Sequence, residues 1–292
     1  MLTIKGVAQL VGLSTSTVRA WESRYQIVHP RRSTAGYRLY SDADVQVLRE
    51  MKRLIDLGLS ASAAAEHTRE LHAVGEDLVR AAAAFDHARA LRLFEERLAW
   101  GSFEAVVDTW LLPALVRLGE AWARGEVDVA SEHAIAGALQ RRLSAAFDAA
   151  GADNGEGIDV LTGLPAGSHH ELGMLAFATC LRRCGVRVLH LGTDLPAAQW
   201  TRACEVHSPA LAVLGAPMHR DADAVAETAT RLAPLGVEVA VGGSYQQDVA
   251  ALRPEVVLLG HSVPVAAARV GDLIRERQVR TIDCVKGRLG AL

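Results

Sequence analysis

The chain has 292 residues, of which 50% are hydrophobic and 22% charged, and its formal net charge is −3 at pH 7. This length is enough for about two domains of ~150 residues each, and the apolar content is enough for real cores. The N-terminus lacks the pattern of a signal peptide, and no apolar run reaches the roughly 18 residues of a membrane span. We therefore expect a globular protein of the cytoplasm without a membrane partner.

Positive charge is concentrated at the start of the chain. Residues 1–72 carry ten Lys or Arg against seven Asp or Glu, whereas the remaining residues carry 21 against 27. Such a small basic excess only suggests nucleic acid as a partner, because many solvated surfaces have the same balance. The motifs must therefore decide whether the chain binds nucleic acid.

The start of the chain predicts a helix-turn-helix unit followed by a wing. Gly12 ends a first amphipathic helix, and Ser14 caps a second one, STSTVRAWESRY, after a short turn. A turn at 34–36 precedes the alternating stretch YRLY at 37–40, which predicts a wing strand. Ser41 then begins another amphipathic helix.

The stretch VRAWESRY…HPRRSTAGYRLYSDADV closely resembles the winged DNA-binding domain of the MerR family of regulators, over about residues 1–70. The resemblance implies binding to double-stranded operator DNA. The exposed start of the second helix would read bases in the major groove, while arginines would meet phosphates. The alternative is an ordinary three-helix module with solvated arginines. The expected DNA-contacting residues are Ser16, Thr17, Arg19, Arg24, Arg31, Arg32, Tyr37 and Arg38.

The middle of the chain predicts helices only. Residues 60–80 are alanine-rich, charged and free of proline, which predicts a helix that continues into a connector. Apolar residues at helical spacing then predict a four-helix bundle over 78–152, in which Pro113 is expected to kink one helix. The stretch GADNGEG at 151–157 predicts the linker to the next domain.

Inside the bundle, Trp122 is separated by nine residues from the pair Glu132-His133. This pattern resembles the bundle of the CarH and LitR photoreceptor regulators, which covers the upper face of adenosylcobalamin. The resemblance implies that Trp122 and Val129 pack against the adenosyl group, while Glu132 and His133 contact its sugar and the corrin edge. The alternative is a buried tryptophan beside a helix-capping Glu-His pair. Ala123 stands where the family tends to carry a histidine.

From residue 157 onward, strands alternate with helices, which predicts a doubly wound parallel sheet. The five predicted strands are IDVLTGL, VRVLHLG, ALAVLGA, VEVAVGG and EVVLLG. This α/β pattern favours a flavodoxin-like order of the Rossmann type. His190, Asp194 and His261 fall near strand ends, where each could touch a ligand, although we expect them to be surface loop residues. The predicted domains are 1–72, 78–152 and 157–292.

A histidine follows the first of these strands, in the turn PAGSHHELG. Ligands of open α/β sheets bind outside the carboxyl ends of the strands, so His170 is expected to point at the place of a cofactor. Neutral imidazole is also a good ligand for a borderline transition metal. His170 is therefore the strongest candidate for a metal ligand.

The spacing around His170 resembles a cobalamin-binding domain. In that family, the histidine of an acidic-x-His-x-x-Gly motif replaces the cofactor's own base beneath cobalt, and the displaced base lies in a slot that reaches a glycine pair. The resemblance assigns cofactor contacts to Gly173, Gly215, Gly242 and Gly243, and a bulky residue at either glycine of the pair is expected to block the slot without unfolding the sheet. Ser168 replaces the family's usual acidic residue, and Gly215 its usual Ser or Thr.

Together, these resemblances imply a light-responsive transcriptional regulator and not an enzyme. The regulator is expected to repress, to use adenosylcobalamin as chromophore and to bind operator DNA as a dark-state homo-oligomer, either a dimer or a tetramer. Ser168, Gly215 and Ala123 keep open a MerR-type regulator that senses another ligand or acts without cobalamin. A corrinoid carrier or methyltransferase module would not need a DNA-reading head.

A zinc site is disfavoured on two grounds. The adjacent residues His169, His170 and Glu171 cannot all point at one metal, as a zinc hydrolase would require. The four cysteines contain no CxxC motif, so we expect thiols that pack in the fold.

Overall fold

A computed structural model describes residues 1–33, 36–151 and 157–289. The chain divides into two compact units. The first unit comprises Met1–Trp100 and Thr109–Ile135, and the second comprises Gly101–Asp108 and Ala136–Leu292. The predicted turn at 34–36 and the predicted linker at 151–157 lie mostly outside the described residues. Within the described residues, no helix has the length and apolar character needed to cross a membrane.

The first unit begins with a helix-turn-helix head, residues 1–73, which also carries a small three-stranded sheet. The central strand of this sheet pairs antiparallel with both others, so the predicted wing strand is confirmed. The head is therefore not purely helical. Its elements are β1 (Leu2–Thr3), α1 (Ile4–Val11), α2 (Thr15–Tyr25), β2 (Arg31–Arg32), β3 (Arg38–Tyr40), α3 (Asp42–Asp56) and α4 (Ala61–Ala73).

The helices of the head begin and end at the capping residues that the sequence predicts. The Ser14 hydroxyl accepts a hydrogen bond from Thr17 N at the start of α2. Ser41 and Asp44 form a reciprocal capping box at the start of α3. Gly12 ends α1 with a φ of 70°, a left-handed conformation that favours glycine. Local sequence chemistry therefore sets the boundaries of the helices in the head.

Residues 60–80 are mostly helical, as predicted, but a glycine divides them between two helices. Helix α4 ends at Ala73, and α5 (Glu76–Ala83) begins after Gly75, which has a φ of 90°. No continuous helix accommodates that backbone conformation, and glycine adopts it without steric cost. The glycine therefore separates the head from the helices that follow.

Four helical segments follow the head, as predicted. They are α5, α6 (His87–Leu98), a long run composed of α7 (Phe103–Val106), a π-helical turn (Val107–Leu111) and α8 (Leu112–Arg124), and finally α9 (Val129–Ala149). Pro113 has no N–H to donate to the preceding turn, and the helix widens into the π turn just before it instead of simply kinking. In the first unit, α5 packs against both α6 and α8.

The second unit contains the predicted parallel sheet of five strands. Their order is β5-β4-β6-β7-β8 and all neighbours are parallel, so the flavodoxin-like prediction is confirmed. Every residue of β4 and β6 is buried, as expected for strands covered on both faces. The strands are β4 (Val160–Gly163), β5 (Val188–His190), β6 (Leu211–Gly215), β7 (Glu238–Gly242) and β8 (Val257–Leu258); the helices are α10 (Glu171–Arg183), α11 (Ala197–His207), α12 (Asp221–Leu232), α13 (Gln246–Leu252) and α14 (Val263–Leu289).

A carboxylate of α2 ties the wing to the rest of the head. Arg38 Nε lies 2.8 Å from Glu22 Oε1, and the Tyr40 hydroxyl donates to Glu22 Oε2 at 2.9 Å. The Tyr40 side chain is fully buried, and burial together with the Glu22 carboxylate raises its pKa. The phenol therefore stays protonated and keeps donating to Glu22.

Replacing Tyr40 with Phe should destabilise the head. Phe preserves the buried ring but removes a hydrogen bond to a charged acceptor, a change that costs about 1.5–3 kcal/mol. We expect the amide protons of α2 to exchange roughly tenfold faster or more, as measured by hydrogen-exchange mass spectrometry. Tyr37→Phe is the matched control, because Tyr37 is 71% exposed on the same wing. Equal exchange in the two variants would contradict the role given to Glu22.

Candidate functional site

His170 lies in the turn that joins β4 to α10, which we call the His170 turn (residues 164–170). The residue is exposed and occupies the N-cap position of α10 without a side-chain cap bond. Ser168 O accepts from Asp194 N at 3.0 Å, and Gly167 N donates to Asp194 Oδ1 at 2.7 Å. The loop after β5 thus fixes the backbone that carries the imidazole.

A chain of polar side chains holds the start of α10 next to His170. Glu171 Oε1 lies 3.1 Å from His190 Nε2, and His190 Nδ1 lies 3.0 Å from Thr162 Oγ1. The Gln140 amide of α9 donates to the other oxygen of Glu171. The expectation that His190 is a surface loop residue is wrong, because its side chain is only 9% exposed. Asp194 and His261 are exposed loop residues, as expected.

Strands β6 and β7, which follow β4 in the order of the sheet, both end at a glycine. Gly215 and Gly242 are register partners at the ends of β6 and β7. A Cβ atom at Gly215 would lie 2.5 Å from Leu164 Cδ2, so Leu164 occupies the room that a Ser or Thr would need. Gly243 has a φ of 97°, and a Cβ atom there would lie 2.7 Å from Ala216 O. The backbone is therefore closely packed at this edge of the sheet, and Gly173 lies nearby in sequence, in the first turn of α10.

Two polar groups are buried beside this edge. Ser168 and Asp221 are 0% and 1% exposed. Asp221 Oδ2 accepts from Met218 N at 2.8 Å. Burial raises the pKa of the Asp221 carboxyl group, whereas the Met218 amide, the Ser168 hydroxyl and the charges of Arg220 and His170 act to lower it. The Ser168 hydroxyl is thus close to this carboxyl group, yet it is not aligned for a hydrogen bond with any described residue.

The predicted adenosyl contacts lie in the first unit. Trp122 and Val129 are 49% and 52% exposed, so the alternative of a buried tryptophan is wrong. Glu132 lies in the first turn of α9, and its Oε2 is 2.8 Å from Nδ1 of the exposed His133. The structure therefore presents two apolar side chains and one polar pair to solvent. We call these four residues the Trp122 set.

The predicted DNA contacts lie on α2 and the wing of the head. The hydroxyls of Ser16 and Thr17 each lie 2.7 Å from Ser14 Oγ, so the helix cap already uses both. Arg38 differs from the prediction of a plain phosphate contact, because its Nε is bound to Glu22. Ser16 is nevertheless exposed, as are the remaining predicted contacts Arg19, Arg24, Arg31, Arg32 and Tyr37.

The zinc alternative finds no support in the described part of the chain. No group of three His, Cys, Asp or Glu side chains there could hold a metal ion. Cys180 and Cys204 are buried free thiols, and burial raises their pKa to about 12 and about 11. These two thiols pack in the fold, as predicted, whereas the free thiol of Cys184 is exposed.

Comparisons with known proteins agree with both halves of this description. Residues 2–71 match the MerR HTH family of regulatory proteins, and residues 74–146 match the B12 binding domain. The chain is 35% identical to the HTH-type transcriptional repressor CarH of Myxococcus xanthus over 81% of this chain and 87% of CarH. It is 33% identical to the repressor CarA of the same organism, over 70% of this chain and 72% of CarA.

A solved structure shares the fold. The monomethylamine corrinoid protein of Methanosarcina barkeri superposes with a TM-score of 0.55 and 17% identity, covering 67% of this chain and 96% of that one. At this identity the likeness shows the fold alone.

The fold and the two domain matches define a transcriptional regulator with a MerR-type head and a cobalamin-binding body. The chain belongs to the family of MerR-type, B12-binding transcriptional repressors that includes CarH and CarA. The predicted class and the predicted cofactor class, cobalamin, are therefore confirmed. The relatives are regulators and not enzymes.

The two glycines at the end of β7 should tolerate substitution differently. The expectation that a bulky residue at either one would only block a slot is wrong for Gly243, because a side chain there meets the Ala216 backbone. Gly243→Ala should lower the free energy of unfolding by about 2 kcal/mol, seen as a lower Tm. Gly242→Ala is the control, since its nearest neighbour would be 3.9 Å away. If both variants have the same Tm, the Ala216 backbone can move to accommodate a side chain at residue 243.

Proposed function

We propose that the protein is a light-responsive transcriptional repressor that uses adenosylcobalamin as its chromophore. One observation carries the proposal. An exposed imidazole, His170, lies at the carboxyl end of β4, next to the glycine ends of β6 and β7, in a chain whose family binds B12. Imidazole is a suitable ligand for cobalt, and glycines let a bulky group approach the backbone.

The residues of this edge fit the lower half of a corrinoid. His170 would ligate cobalt, and the displaced base would lie along Gly215, Gly242 and Gly243. The buried Ser168 hydroxyl has no aligned partner among the described residues, which leaves a donor and an acceptor for groups of the site. The cofactor, when bound, supplies a light-sensitive cobalt–carbon bond.

The Trp122 set would contact the adenosyl group. The exposed faces of Trp122 and Val129 offer apolar surface for the adenine ring. The Glu132 carboxylate accepts hydrogen bonds, which suits the sugar hydroxyls, and His133 would contact the corrin edge. Ala123 has no atom that can ligate cobalt. Once light has removed the adenosyl group, only water or His133 could take its place on cobalt. The photoproduct would then be less firmly held than the two-histidine product of the family.

Operator DNA would be bound by a dark-state oligomer. A single head contacts too few bases to specify a site, so MerR-type heads need a symmetric partner. Exposed Arg19 on α2 would read bases, and the exposed Arg31 and Arg32 of the wing would meet phosphates. Loss of the adenosyl group in light would weaken the assembly and release the DNA.

The first test follows the cofactor and the assembly together. Wild type mixed with adenosylcobalamin in the dark should show the His-ligated, base-off visible spectrum and elute as an oligomer, and green light should shift it to a smaller species. His170→Ala should lose the His-ligated spectrum. His169→Ala is the matched control, because His169 is the exposed neighbour of His170.

One outcome would contradict the proposal as a whole, and another would contradict only the role given to Ala123. A chain that binds no cobalamin in either state would be a regulator of another ligand. A lit protein that stays dissociated after fresh adenosylcobalamin is added in darkness, with a two-histidine spectrum, would show that another histidine replaces the function missing at Ala123.

The second test concerns DNA. Arg19→Ala should lose sequence preference, and Arg31→Ala should weaken binding to all duplexes and reduce the salt slope of log K by about one. Fluorescence anisotropy at several salt concentrations measures both effects. Arg202→Ala is the control, because Arg202 is an exposed arginine of α11 in the other unit. If Arg19→Ala and Arg31→Ala both bind like wild type, the head does not bind DNA through these residues.

A further inference from the structure

The ligand histidine lacks a carboxyl group in its own turn. Ligating histidines usually donate their second ring N–H to a carboxylate, a carbonyl or a water, and this contact fixes the ring and strengthens the ligand. Ser168, two residues before His170, offers only a hydroxyl. That hydroxyl is fully buried and has no aligned hydrogen-bond partner among the described residues. Buried polar groups without partners are rare, so this hydroxyl calls for an explanation.

The carboxyl group of Asp221, from another loop, lies close to Ser168. Asp221 begins α12, at the end of the loop after β6, and β6 is the direct neighbour of β4 in the sheet. The side chain is 1% exposed and interacts with both Ser168 and His170. Its other interactions are the Met218 N–H bond and the charge of the exposed Arg220.

Burial of this carboxyl group has a cost that a purely structural role does not explain. A helix start needs an acceptor for its N–H groups, and an exposed Asp would supply one without desolvation. Asp223, in the same first turn of α12, is such an exposed acid. Asp221 is instead buried, and its carboxyl group interacts with the Ser168 hydroxyl of the His170 turn.

We infer that Asp221 and Ser168 form a two-residue relay that positions the His170 ring. With cobalt bound, the Ser168 hydroxyl, which is close to Asp221 but not aligned with it here, would turn to donate to the Asp221 carboxyl group and to accept from the ring N–H of His170. The other ring nitrogen of His170 would then be left for cobalt. Asp221 is thus a positioning residue and does not touch the metal. The inference rests on the proposed function, because it requires cobalt at His170.

The test compares substitutions of equal size. Asp221→Asn keeps an oxygen that can accept from Met218 N but removes the charge, and Asp223→Asn is the matched control on the same helical turn. We expect Asp221→Asn to bind cobalamin roughly 10- to 100-fold more weakly. At saturating cobalamin, a larger share of the variant should show the spectrum without a histidine ligand. Circular dichroism without cobalamin checks that both variants fold.

A rescue variant separates positioning from a merely structural role. The double variant Ser168→Asp/Asp221→Asn puts a carboxyl group back beside His170, from the other loop. It should recover most of the affinity and the His-ligated spectrum that Asp221→Asn loses, with a coupling between the two substitutions. A structural role for Asp221 would not be restored by a change at residue 168.

The outcomes distinguish this inference from the proposed function. If His170→Ala leaves the wild-type spectrum unchanged, His170 does not ligate cobalt, and both are wrong. If His170→Ala loses the ligand but Asp221→Asn behaves like Asp223→Asn, only the relay is wrong. The relay is also wrong if Asp221→Asn binds weakly and the double variant gives no recovery.

Discussion

The parallel register of β4, β6 and β7 is the constraint on which the site depends. Gly163 pairs with Leu214 and Gly215 with Gly242, so the three strands end at one edge of the sheet. The chain therefore leaves β4 into the His170 turn, beside the glycine ends of its neighbours. A slip of one residue would turn each side chain to the other face of the sheet and would move the strand ends out of line with one another.

Carboxyl groups from distant parts of the chain hold each candidate site in position. Glu22 joins α2 to the wing through Arg38 and Tyr40, and Glu171 joins α10 to His190 and Gln140. In each case a partly or fully buried acid has several partners, which a buried carboxylate needs to offset its loss of hydration. Arg19 and His170, which are proposed to contact DNA and cobalt, stay exposed. The groups that hold each site in position are therefore different from these two residues.

The sequence predicted those parts of the molecule that local chemistry controls. Caps such as Ser14 and Ser41, the alternation of strands and helices, and a histidine after a strand are all visible within a few residues. The break between α4 and α5 was not foreseen, because it depends on the positive φ of a single glycine, Gly75. The burial of His190 was missed because its partners, Thr162 and Glu171, are 28 and 19 residues away, and only the sheet order brings them together. The burial of Asp221 was missed for the same reason, because no residue near it in the sequence indicates it.

The two departures of the His170 edge from the cobalamin-binding pattern are physically linked. A Cβ atom at Gly215 would lie 2.5 Å from Leu164 Cδ2 and 3.0 Å from Met174 Cε, so no Ser or Thr fits there while Leu164 keeps its place. A hydroxyl at 215 is therefore unavailable to the neighbouring loop. A hydroxyl is present at Ser168 instead, and the buried acid comes from the loop after β6. In the proposed relay, a hydroxyl from the His170 turn and an acid from the loop after β6 would thus serve the imidazole, although neither position carries the residue of that pattern.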